Sequence, residues 1–175
     1  MTRNWGTNHR YPRQPTAPAS FDQLREIVLR AGERGQTIRP LGSRHSFNAI
    51  SDAEVMIELH QMPEVFQVDS AGRSVTVNAA MTFGRFAELA EPAGIALHNL
   101  GSLPQISIAG AVATGTHGSG DRNGNIATAV VGLELLTSDG ELKWLSKSEL
   151  AGSTVALGAL GLVTRIELRV EPSYL

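Results

Sequence analysis

Between Pro92 and Gly120 the chain runs for 29 residues without an aspartate, glutamate, lysine or arginine. The stretch is not built like a membrane span, because Gly, Ser, Thr, Asn and His interrupt it throughout. A second uncharged stretch runs from Leu150 to Thr164 and reads Leu-Ala-Gly-Ser-Thr-Val-Ala-Leu-Gly-Ala-Leu-Gly-Leu-Val-Thr. Buried backbone polar groups need partners, and small residues let backbone approach closely. Two such segments therefore require a fold that packs tight turns against protein or against a large ligand.

Composition narrows the class. At 42% hydrophobic and 18% charged, the 175 residues are too apolar for a disordered tail and numerous enough to bury a core. At roughly 100 to 200 residues per domain, that length gives one domain, or one domain with two lobes. The 15 basic and 17 acidic residues leave a net charge of −2, which gives no electrostatic footprint for nucleic acid or an anionic membrane. With no cysteine there is no disulfide framework, thiolate metal site or cysteine nucleophile, and a reducing cytoplasm fits. From Met1 to Pro18 the chain is polar and lacks the apolar run of a signal peptide. No window approaches the roughly 18 continuous apolar residues of a membrane helix. The expectation is a cytoplasmic domain with neither nucleic acid nor membrane as partner.

Ser20 and Gln23 form a capping box ahead of Leu24, Ile27, Val28 and Ala31, which share one helical face, and Gly35 supplies the stop. Thr37–Leu41 and Val55–Leu59 read as short strands, completing a small βαβ-like lobe over about 1–62. In the second lobe, about 63–175, Phe66–Asp69 and Ser74–Val77 alternate around Ser70–Arg73 as a hairpin. Thr82 caps a helix over Phe83, Phe86, Leu89 and Ala90. Val130–Leu136 and Leu142–Leu145 flank the turn Asp139-Gly140, and Leu162–Val170 alternates as a last strand.

Motifs taken singly say little. Arg39 through Phe47 follows a strand and can turn several N–H groups and two hydroxyls toward one anion. The run Gly115-Thr-His-Gly-Ser-Gly120 fails the dinucleotide fingerprint, because Asn123 stands where the third glycine belongs. That disfavours a nicotinamide-binding domain. The histidines at 9, 45, 60, 98 and 117 lack the i, i+4 spacing of a helical metal site, so no metal is expected. Ser43, Ser46, Ser102, Ser107 and Ser119 lack a nucleophile elbow.

Taken in order, three segments carry more. They are Leu41-Gly-Ser-Arg-His-Ser-Phe47, Asn99-Leu-Gly-Ser-Leu-Pro-Gln-Ile-Ser-Ile-Ala-Gly-Ala-Val-Ala-Thr-Gly-Thr-His-Gly-Ser-Gly120, and Leu157-Gly-Ala-Leu-Gly-Leu-Val-Thr164. Together they resemble the FAD-binding (PCMH-type) domain of the vanillyl-alcohol-oxidase-type flavoproteins. The branch most similar is the alditol and xylitol oxidases, followed by the sugar-lactone oxidases. The resemblance implies an α+β fold, with a small βαβ lobe beside a larger, mostly antiparallel sheet lobe with helices.

It also implies a site. In this family the first loop wraps the pyrophosphate, which places Pro40, Leu41, Gly42, Ser43, Arg44, His45 and Ser46 on FAD. His45 occupies the position of the histidine that bonds covalently to the 8α-methyl of the flavin, a role that wants an imidazole nitrogen with a free lone pair. Arg44 departs from the small residue usual there. Ser102, Ser107, Gly110, Thr114, Gly115, Thr116 and His117 match the wall along the isoalloxazine and pyrophosphate, and Val163 matches a residue whose backbone holds the cofactor. Gly101 lies where a small side chain leaves a path for dioxygen, and Ser102 matches a serine that also touches the sugar alcohol.

The implied parent is an FAD-dependent oxidoreductase that oxidises a primary alcohol carbon of a polyol with dioxygen as acceptor. The family's remaining substrate and catalytic residues lie in a later cap domain, so no complete catalytic set is expected in residues 1–175. The alternatives are a flavin-binding module without polyol oxidase activity, and the corresponding domain of a sugar-lactone oxidase.

Overall fold

A computed structural model describes residues 2–174. Helix α1 (Phe21–Glu33) begins where Ser20 accepts a hydrogen bond from the Gln23 N–H at 3.3 Å. The Gln23 side chain reaches back one residue further than a capping box requires, to the Ala19 N–H at 2.9 Å. Leu24, Val28 and Ala31 form the buried face of α1, each large one contributing about 1.5 to 3 kcal/mol by leaving water.

Strands β1 (Ile38–Pro40) and β2 (Val55–Ile57) pair in parallel. Thr16 joins the far side of β2: its N–H donates to Met56 O at 2.8 Å, and the Glu58 N–H donates to Thr16 O at 3.0 Å. The expected βαβ unit therefore exists in rudimentary form, with Thr16 and β1 flanking β2 and α1 linking them. The crossover from β1 to β2 is a loop, not a helix.

The larger sheet has five strands in the order β3-β4-β8-β6-β7, all neighbours antiparallel. Its strands are β3 (Phe66–Val68), β4 (Ser74–Asn78), β6 (Val130–Leu136), β7 (Leu142–Ser146) and β8 (Leu162–Arg169). Both expected hairpins and the last strand are present, and α2 (Phe83–Ala90) starts at Thr82, whose hydroxyl accepts from the Arg85 N–H at 3.2 Å. A further antiparallel pair, β5 (Ile95–Ala96) with β9 (Glu171–Pro172), was not expected. Alternation on β4 and β8 buries Val75, Val77, Ile166 and Leu168 beneath α2 and the short helix α3 (Ile108–Ala113).

A second core cluster joins Leu24, Val28 and Ile57 to Leu136 and Leu162 of the large sheet. The small parallel pair is thereby pinned against one end of β6 and β8, which puts the loop after β1 beside α3. No helix among the described residues is long and apolar enough to cross a membrane.

Candidate flavin site

Three segments meet around a cavity of about 390 Å³: the loop 40–46 after β1, α3 with Ser107 before it, and the loop 153–161 ahead of β8. The volume falls within the ~300 to 1,000 Å³ usual for cofactor and ligand pockets. Arg44 is the single lining residue among those described that carries a permanent charge.

The first loop offers donors. Among the described residues, none accepts a hydrogen bond from the backbone N–H groups of Gly42, Ser43, Arg44, His45 or Ser46. Arg44 sits at φ +62°, in the left-handed region, where a side chain costs roughly 1 to 2 kcal/mol relative to glycine. Alternation of right- and left-handed residues is what gathers successive N–H groups into an anion-binding concavity. The Arg44 guanidinium turns away to the largely buried Glu58 just after β2, with Nε 3.0 Å from Oε1 and a second nitrogen on the same oxygen. That ion pair answers the departure at Arg44 from the resemblance: the long cation is anchored in the protein beneath the turn.

His45 lines the cavity, and neither of its ring nitrogens has a hydrogen-bond partner among the described residues. The Trp5 indole stacks on it, with ring centroids 5.1 Å apart and planes 23° from parallel. Tyr11, 2% exposed, lines the same cavity, and burial pushes its hydroxyl above the ordinary tyrosine range.

Ser43 lines the cavity, and its hydroxyl has a bridging role besides. Its hydroxyl accepts from the Ser107 N–H at 2.8 Å and donates to Gln105 O at 2.9 Å. It is committed to joining the first loop to α3. Ser107 itself is 4% exposed, lines the cavity, and makes no side-chain cap. Added Cβ atoms on Gly42 and Gly110 would lie 2.7 and 2.8 Å from its hydroxyl oxygen. These two glycines let the loop and the helix close on the Ser107 hydroxyl. Thr114 bonds back to Gly110 O at 2.9 Å and lies 3.2 Å from the Thr116 hydroxyl.

The third segment is docked through both backbone groups of Leu157. Leu157 N–H donates to Ala113 O at 3.3 Å, and Arg39 donates to Leu157 O at 3.0 Å. Leu157 and Gly158 are both left-handed, at φ +53° and +71°.

The structure thus gathers Pro40, Leu41, Gly42, Ser43, Arg44, His45, Ser46, Ser107, Gly110, Thr114, Thr116 and Val163 around one cavity. Gly101, Ser102, Gly115 and His117 are not among its lining residues. Gly101 packs against the Thr116 methyl, a contact at 3.4 Å for an added Cβ, and His117 bonds to Gly118 O at 2.9 Å. Gly101, Gly115 and His117 thus adjoin the cavity through Thr116. Sequence reasoning missed Tyr11 and Ala79 with Ala80, and it singled out the segment containing 153–161 without naming those individual lining residues. The uncharged composition of 150–164 was a usable signal for the last; nothing in the sequence marked Tyr11.

An elongated anion carrying an apolar ring system suits these walls: unpaired N–H groups at one loop, a free serine hydroxyl, and small uncharged side chains elsewhere. The molecule is thereby defined as a nucleotide-cofactor binder of the flavin class. A family model described as "FAD binding domain" matches residues 12–146, and the chain belongs to that family, with FAD as its cofactor. It is 38% identical over 177 residues to an alditol oxidase from Streptomyces sp., covering 98% of this chain and 42% of that protein. It is 33% identical to an L-gulono-1,4-lactone dehydrogenase from Mycobacterium tuberculosis (98% and 41%) and 30% identical to an L-gulonolactone oxidase from Bos taurus (98% and 40%). The chain therefore spans about two fifths of the length of these relatives.

Proposed function

We propose that this chain is the FAD-holding part of a cytoplasmic alditol-oxidase-like oxidoreductase, with the flavin attached covalently to His45. FAD bound there supplies a two-electron acceptor for an alcohol carbon of a polyol, with dioxygen as the final acceptor. The observation that carries the reading is the convergence of His45, the open N–H groups of 42–46 and the free Ser107 hydroxyl on one cavity. The 42–46 backbone holds the pyrophosphate. The His45 nitrogens, having no partner among the described residues, keep a lone pair for the 8α-methyl carbon. Ser107, Gly110 and Thr114 would line the ring, and Ser102 and Gly101, outside the cavity wall, are the residues assigned to substrate and dioxygen. Support for the polyol comes from the alditol oxidase similarity, and support for the cytoplasm from the cysteine-free sequence.

The test is the absorption spectrum of the purified protein before and after acid precipitation. Flavin absorbance is expected in the wild-type pellet; His45→Ala is expected to keep only flavin that acid releases. Acid-stable flavin in His45→Ala would remove His45 from this role.

A further inference from the structure

Segment 4–9 is knitted on Asn4, whose Oδ1 accepts from the His9 N–H at 3.0 Å and whose Nδ2 donates to Asn8 Oδ1 at 2.7 Å. The same segment grips the outer side of the cavity loop. Trp5 N–H donates to Arg44 O at 2.8 Å, Asn4 Nδ2 to Ser46 O at 2.9 Å, and Asn8 Nδ2 to Phe47 O at 3.0 Å. In a trans peptide the carbonyl and the following N–H point in opposite directions. Holding the Arg44 carbonyl on the Trp5 side therefore turns the His45 N–H the other way. From that same side the Trp5 indole covers one face of the His45 ring, and Phe47 meets Trp5 edge-on at 6.3 Å between centroids.

We propose that segment 4–9 is a clamp that orients His45 for bond formation with the flavin, with Trp5 as its positioning residue. The proposal rests on the covalent reading of His45 given above. Attachment replaces one C–H bond of the 8α-methyl by a C–N bond to the imidazole. The methyl proton, the imidazole proton and two electrons leave to dioxygen as hydrogen peroxide. A tilted imidazole presents its lone pair off line to that carbon, whereas the stack fixes the ring plane and the three carbonyl contacts fix the backbone that carries it. Trp5 is 58% exposed, far from a core position, so its replacement leaves the hydrophobic cores intact.

The experiment uses the chain prepared without flavin, mixed with FAD in air, and followed by the rate at which flavin becomes acid-stable alongside total FAD bound. Trp5→Leu is expected to slow attachment about 10- to 100-fold, the cost of sub-ångström to ångström misplacement, while total FAD binding moves less than about threefold. Trp5→Phe, which keeps a ring on His45, is expected to restore most of the rate, and Asn8→Ala to fall between. Wild-type attachment rates in Trp5→Leu would overturn the clamp alone. Equal loss of total FAD binding and attachment would also overturn it, by making Trp5 a cofactor-binding residue. Wild-type protein with no acid-stable flavin would overturn the His45 reading, and the clamp with it.

Discussion

Ser43, Ser107 and Gly110 lie within a few ångströms of one another and should respond to mutation in three different ways. Ser43→Ala removes two hydrogen bonds that couple the first loop to α3 and leaves the Ser107 N–H without its acceptor, a loss of about 1 to 3 kcal/mol. It should lower the melting temperature and FAD retention together. Ser107→Ala removes a hydroxyl that makes no side-chain cap, so the melting temperature should hold while FAD affinity falls by the ~0.5 to 1.5 kcal/mol of one hydrogen bond. Gly110→Val places a branched side chain where even a Cβ comes within 2.8 Å of Ser107 Oγ, and FAD retention should be lost. Thermal melts beside FAD titrations check all three. The identity of these residues was legible in the sequence, but the division of labour was not. The partner of the Ser43 hydroxyl lies 64 residues away, and its use depends on α3 arriving beside the loop. Arg44 illustrates the same limit, since a left-handed arginine becomes reasonable only once Glu58 is seen beneath it.

Elements closed by local chemistry were the readable ones. The β3–β4 turn is held by Asp69, whose carboxylate accepts from the N–H groups of Ser74 at 2.7 Å, Arg73 at 2.6 Å and Ala71 at 3.2 Å. The Ser74 N–H first, then those of Arg73 and Ala71, hold its carboxyl below the usual aspartate range. Folding thus favours the carboxylate. Its contribution is complete above the unfolded value, about 3.9, and is lost as pH falls through the lower folded value. The Thr137 hydroxyl acts likewise on Asp139 in the β6–β7 turn. The melting temperature should therefore decline as the solution is acidified below about pH 4. Asp69→Asn should lower it at neutral pH and flatten that acid limb, as circular dichroism melts across the pH range would reveal. Elements closed by distant chain escaped the sequence reading. Residues 95–96 become a strand only because Glu171–Pro172 returns to them. Ser146 and Glu149 form a capping box whose Ser-x-x-Glu spacing was readable but was masked by the strand running into it.

At the scale of the whole molecule, the hairpins and last strand of the antiparallel sheet followed from alternation and the α+β class from the resemblance carried by three motif segments, while the place where the two lobes join followed from neither. The cluster linking Leu24, Val28 and Ile57 to Leu136 and Leu162 draws on residues whose apolar character is plain but whose meeting is a matter of topology. That junction sets the two lobes around the cavity, and the Arg44–Glu58 pair at its wall has a consequence for how charge is met there. Among the described residues, the one permanent cation on the cavity wall already has its counter-ion, and the chain as a whole carries −2. A diphosphate entering such a site meets backbone dipoles, not a surplus of positive charge, and releases few bound ions. Mobile ions screen separated full charges well and adjacent dipoles poorly. Raising ionic strength from about 0.01 M to about 1 M, which shrinks the Debye length from about 30 Å to about 3 Å, should therefore change noncovalent FAD affinity in His45→Ala by less than about threefold. A steep salt dependence in equilibrium titrations would mean that a cation outside the cavity wall steers the cofactor. A flat one describes a pocket that keeps its nucleotide in concentrated brine as readily as in dilute buffer.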